Sequence, residues 1–110
     1  MLLSFLFMFA CSDATLNYQC TCAQVAYEKL IQEQNDEEYL VGYLAIEDQS
    51  FSENVCDTYE NIQLAFQPGG VIADGIASCE TNMTSIAEDE VGAGNYAIDC
   101  SCECTFLSEC

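Results

Sequence analysis

The residues best equipped for chemistry in this chain are its cysteines. Nine occur in 110 residues, and four fall in the closing stretch "CSCECTFLSEC". Cys100, Cys102 and Cys104 alternate with Ser101 and Glu103, and Cys20 and Cys22 repeat that spacing near the other end. Sulfurs in this pattern serve metal binding, thiol–disulfide exchange or covalent cross-linking. Thiolate metal sites favour C-x-x-C pairs and histidine, and the chain has neither. Eight thiolates would also deepen a formal charge that already stands at −18. A reactive thiol needs a cation or a helix N-terminus to lower its pKa, and Lys29 is the only basic side chain. Cross-linking is the reading that remains.

Strand geometry constrains it further. Residues i and i+2 of a strand lie about 6.6 Å apart, close to the upper limit for bridged Cα atoms. Cys100, Cys102 and Cys104 are therefore expected to reach other elements and not one another. Set Cys11 aside, and Cys20, Cys22, Cys56, Cys79, Cys100, Cys102, Cys104 and Cys110 make an even set. An even count in an exported chain reads as a disulfide framework. Its connectivity is open, since eight cysteines allow on the order of a hundred pairings.

The acidic residues are the other abundant chemistry. Nineteen Asp and Glu face one Lys, with no Arg and no His. That balance excludes a nucleic-acid footprint, and it excludes electrostatic attachment to anionic lipid. Without His, Ser-His and Cys-His nucleophile pairs are impossible. Paired carboxylates leave a small hydrolase as a third-ranked function, and no pair stands out among so many. The clusters "NDEE" (35–38), "EDQS" (47–50) and "EDE" (88–90) make an exported calcium-binding protein the second-ranked one. None follows the twelve-residue calcium-loop pattern, so no metal site is assigned and weak cation binding is expected instead. "GAG" (92–94) lacks the lysine of a phosphate loop, and "NMT" (82–84) is a glycosylation sequon of consequence only in a eukaryotic source, a chance match being the preferred reading.

The N-terminus, "MLLSFLFMFAC", is apolar from Leu2 to Ala10 apart from Ser4. That run is too short to span a bilayer, which takes about 20 residues, and it fits the core of an export signal. "MFAC" at 8–11 resembles the lipobox of bacterial lipoprotein precursors, with Ala10 before the modifiable Cys11 and Met8 where Leu is usual. The resemblance covers only this segment. It implies a signal at 1–10, a lipid-anchored N-terminus at Cys11, and outer-membrane or cell-surface residence, with which Ser12 is compatible. The alternative is cleavage after "SDA" (12–14), giving a soluble secreted or periplasmic protein.

These residues must be held by one domain, 11–110, since the length allows a single modest core. "TLNYQCTC" (15–22) alternates like a strand. "AQVAYEKLI" continues on the other parity, which predicts a bulge near Ala23–Gln24 or else a helix. "QEQNDEE" (32–38) is the expected turn, and "YLVGYLAI" (39–46) the return strand, buried on both faces. Ser50 and Glu53 form a capping-box signature ahead of a helical stripe through Val55, Cys56, Tyr59, Ile62 and Phe66. "QPGG" (67–70) ends that helix. A second stripe runs from Val71 to Met83, with Gly75 permitting close packing. "EDEVGAGN" (88–95) reads as a loop, and "YAIDCSCECTF" (96–106) as a strand. "YQCTC" and "YAIDCSCEC" share a Tyr ahead of alternating cysteines, too short a likeness to establish a repeat.

The expected fold is a small disulfide-rich α+β domain in the order β-β-α-α-β, an antiparallel sheet of about three strands with two helices on one face. The expected function is a non-enzymatic, exported, disulfide-stapled structural or protein-binding module, needing no cofactor and touching membrane only through its anchor.

Overall fold

The computed structural model describes residues 14–110. The expected signal at 1–10, Cys11, and Ser12 and Asp13 lie outside the described residues. The chain is α+β, in the order β1 (Thr15–Gln34), β2 (Glu37–Asp48), β3 (Phe51–Thr58), α1 (Tyr59–Ala65), α2 (Val71–Val91) and β4 (Tyr96–Glu109). One four-stranded sheet forms in which β2, β3 and β4 all pair with β1.

β1 is one long strand. Tyr18, Cys20 and Cys22 are buried while Gln19 and Thr21 are exposed, the predicted period of two. Beyond Cys22 the chain stays extended. The β1–β2 ladder has register shifts between Ala26 and Tyr27 and between Leu30 and Ile31, on the partner strand and not the bulge in β1 expected near Ala23–Gln24. Pairing passes from Glu47 to Ala45 and from Gly42 to Leu40, so Ile46 and Val41 are the extra residues of β2. The turn is tighter than 32–38. Gln34 pairs with Glu37, leaving Asn35 and Asp36 at φ 56° and 63°. Asn and Asp tolerate this left-handed region, and two such residues make the turn whose twist suits a hairpin.

The largest departure from expectation is β3. Residues 51–58 form a strand where a capped helix was predicted. Ser50 does not cap a helix; its Oγ accepts from the Gln24 N–H at 3.1 Å. Thr21 Oγ1 and Ser52 Oγ hydrogen-bond at 3.1 Å. Pairing with β1 gives this backbone a ladder, and that outweighs a weak local preference for helix. The helix starts one turn later, where Thr58 Oγ1 accepts from the Asn61 N–H at 3.1 Å. After α1, Gly70 is required by close approach, because a Cβ there would sit 2.4 Å from the Leu64 carbonyl oxygen. Gly75 has open space around it and mediates no packing. α2 runs through Glu88–Val91, absorbing half of the expected loop, and ends at Gly92 with φ +86°.

Two compact units share the chain. The first combines 14–21 with Ser52–Gly75 and Cys102–Cys110; Ile62 of α1 packs there against Tyr18 and Cys20, flanked by Leu16, Val55 and Cys104. The second combines Cys22–Phe51 with Ile76–Ser101; Cys79, Met83 and Ala87 of α2 pack there on Ala26, flanked by Ile46, Tyr96 and Ile98. α2 lies against the sheet through an apolar stripe at helical spacing, and the short α1 through Ile62.

Candidate functional site

The framework cysteines are all disulfide-bonded. Cys20 of β1 joins Cys104 of β4, with Cα atoms 4.0 Å apart. Cys79 of α2 joins Cys100 of β4, and Cys56 joins Cys110. Cys22 and Cys102 are in disulfide linkage too. As the spacing required, Cys100 and Cys104 each bond a different element. Cys79 lies within the predicted second helical stripe and packs on Ala26 of the sheet. Cys56 is not on a helix: it lies on β3, exposed, and its bridge holds Cys110. The sulfurs are thus consumed in holding β1, β3, β4 and α2.

The acidic clusters are spread along the chain's surface. In "NDEE", Asn35 and Asp36 make the hairpin turn, and Glu37 accepts the Tyr39 hydroxyl at 2.6 Å. That bond raises the Tyr39 pKa, with partial loss of hydration adding to it. In "EDQS", the Asp48 carboxylate accepts the Ser50 N–H at 2.9 Å, and Ser50 holds its pKa below the usual carboxylate range. In "EDE", Glu88 accepts the Tyr96 hydroxyl at 3.1 Å, and the Tyr96 pKa is raised by burial first and by Glu88 next. Among the described residues, no three Asp, Glu, Cys or His side chains gather closely enough to hold a metal ion. A shallow groove along α2 is lined by Ala77, Ser78, Thr81, Asn82 and Ser85, none of them ionisable. The sequon residue Asn82 is exposed on it.

The prominent surface feature is one that sequence reasoning placed in the core. β2 is not buried on both faces. Tyr39, Leu40, Val41, Tyr43 and Leu44 are all exposed, Val41 by 59%. Ladder partners share a face, so Leu40 lies beside Ile31 on one side of the hairpin and Tyr39 beside Gln32 on the other. Leu30 and Ile31 of β1 are themselves exposed. The reason is geometric. The turn before β4 meets β1 at Lys29, whose N–H donates to the Asn95 carbonyl at 2.9 Å. The second unit's core lies at Ala26, and the hairpin continues outward from Lys29 to its tip at Asn35–Asp36. Helix α2 touches the sheet through Cys79, Met83 and Ala87, toward Ala26 and Ile98. Apolar side chains therefore cover both faces of a projecting two-stranded arm. Acidic residues bound it: Glu33, Asp36, Glu37 and Glu38 at the tip, Glu47 and Asp48 at the base.

A contiguous exposed apolar surface rimmed by polar groups is the usual mark of a docking site. The signal that would have found it was supply. With about three strands and two short stripes of helix, too little apolar surface exists to cover both faces of "YLVGYLAI". Among the described residues, no helix is long and apolar enough to cross a membrane. No family model, curated protein or solved structure matches the chain.

Proposed function

We propose that this protein is a non-enzymatic, exported, disulfide-stapled module that binds another protein through its β1–β2 hairpin. The observation that carries the reading is the exposure of Leu40, Val41 and Leu44 on an arm that projects past the core. A two-stranded hairpin is marginal in water by itself, and leaving large apolar side chains in solvent is unfavourable unless something covers them. Export is supported by the disulfide framework, because such bonds persist outside reducing compartments. Anchoring through Cys11 rests on "MFAC" and on parity: the other eight cysteines are all bonded, which leaves Cys11 for a separate role.

Intact mass of the native mature protein tests the anchor, since a diacylated Cys11 and cleavage at Thr15 differ in both mass and N-terminal residue. The binding role is tested by sedimentation of the protein extracted in mild detergent from the cell that makes it. The wild type is expected to travel in a particle larger than itself, and Leu40→Ser with Leu44→Ser to release it. Equal sedimentation of the two proteins contradicts the role.

A further inference from the structure

We infer that the partner adds a β-strand to the outer edge of β2, and that this strand is apolar in its centre and basic at both ends. The inference rests on the hairpin being the binding surface and specifies how that surface works. Among the described residues, β2 has β1 as its one ladder partner. Its other edge presents backbone N–H and C=O groups along a twelve-residue strand. Natural edge strands are commonly guarded by charge, proline or brevity. β2 has no proline and is long, and its central residues 39–46 carry no charge. The two inserted residues, Val41 and Ile46, twist it without closing it off. Such an edge is a template for strand addition, in which main-chain hydrogen bonds give affinity and alternate side chains give selectivity.

Charge decides what kind of strand fits. A second copy of this chain is the obvious candidate, and it fails. Antiparallel pairing of "EEYLVGYLAIED" with itself about its centre sets Glu37 opposite Asp48 and Glu38 opposite Glu47, at both ends. Like charges directly opposite destabilise a ladder, and each copy also brings a formal charge of −18. The same carboxylates would attract lysine or arginine at both ends of a foreign strand. A lipid surface suits the apolar faces and leaves the edge's backbone groups and the acidic rim unmatched.

The test uses the disulfide-intact mature protein and synthetic peptides of the same length as β2. One peptide has paired lysines at each end and alternating valine and threonine between them. A second replaces the lysines with glutamates. A third keeps the lysines and N-methylates alternate backbone amides along one edge, with a fourth methylated along the other. The basic peptide is expected to bind, to protect β2 amides from hydrogen exchange, and to weaken as salt is raised. One of the two methylated peptides should bind about tenfold or more weakly, since several edge hydrogen bonds are lost together. The glutamate peptide should not bind wild type and should gain affinity for Glu37→Lys with Glu38→Lys.

Failure of the basic peptide to bind overturns the inference. So does a concentration-dependent dimer of the protein alone, or uptake by phosphatidylcholine vesicles that protects the same amides. If both methylated peptides bind as well as the plain one while Leu40→Ser with Leu44→Ser abolishes binding, strand addition is wrong and the hairpin reading stands. If neither the methylation nor the substitutions matter, both are wrong.

Discussion

Thr58 and Asp57 show how single residues set the boundary that pattern reading missed. Asp57 Oδ1 accepts from the Thr58 N–H and from Asn61 Nδ2, each at 2.8 Å, while Thr58 Oγ1 takes the Asn61 N–H. Thr58→Ala should destabilise the fold by about 1 kcal/mol in denaturant titrations, the usual consequence of losing an N-cap. The Asp57 pKa lies below the usual range, held there by Asn61 first and Thr58 next. A carboxyl depressed in the folded state adds stability above its unfolded pKa, and that increment is lost as pH falls through the native value. The stability gap between wild type and Asp57→Asn should therefore narrow as pH drops below about 4. A gap that stays constant into acid would show that the Asp57 charge is not what matters. Ser50–Glu53 and Thr58–Asn61 are both three-residue spacings of cap-forming type. Nothing local separates them; pairing with β1 does, and that is a tertiary fact. The cysteines were more legible, because strand spacing disfavours bridges among Cys100, Cys102 and Cys104 and points each toward another element.

Among the elements, α2 and β2 make opposite uses of their apolar residues. Met83 is fully buried on α2, at the centre of the second unit's core. Met83→Ala should cost about 2–5 kcal/mol, the range for deleting a large buried side chain. Leu44→Ser on β2 should change stability by about 0.5 kcal/mol or less, as exposed substitutions generally do. Thermal or denaturant melts of the two variants check the contrast. A Leu44→Ser loss comparable to that of Met83→Ala would return β2 to the core and remove the basis for a docking arm. Helical periodicity identified α2 through Cys79 and Met83. Strand propensity identified β2, yet burial did not follow from it: "YLVGYLAI" has the composition of a covered strand, and its exposure depends on where α2 ends and β4 begins.

For the whole molecule, charge governs behaviour and disulfides offset it. With nineteen acids and one Lys, ion-pair networks cannot form, and the compact state repels itself. Raising sodium chloride to about 1 M shortens the screening length to about 3 Å. The melting temperature of the disulfide-intact protein should rise as a result. Calcium at matched ionic strength should add little, in keeping with acidic clusters that are engaged separately. A flat response to sodium chloride would rule out self-repulsion as a significant term. Reduction should have the opposite effect on a larger scale, since removing one native bridge from a small secreted domain costs about 2–5 kcal/mol. Composition made this level the easiest to read, for it depends on totals and not on arrangement.

The proposed docking role of the hairpin can be checked by in-cell photocrosslinking. A photoreactive residue is placed at Val41 on the arm or at Asn82 on the exposed side of α2, in the cell that makes the protein. Both positions are solvent-exposed in the chain itself. If the hairpin docks a partner, position 41 gives one adduct of discrete mass and position 82 none, and the adduct is lost when Leu40→Ser and Leu44→Ser are added. Equal adducts from both positions, or an adduct at 41 that survives those substitutions, would contradict it.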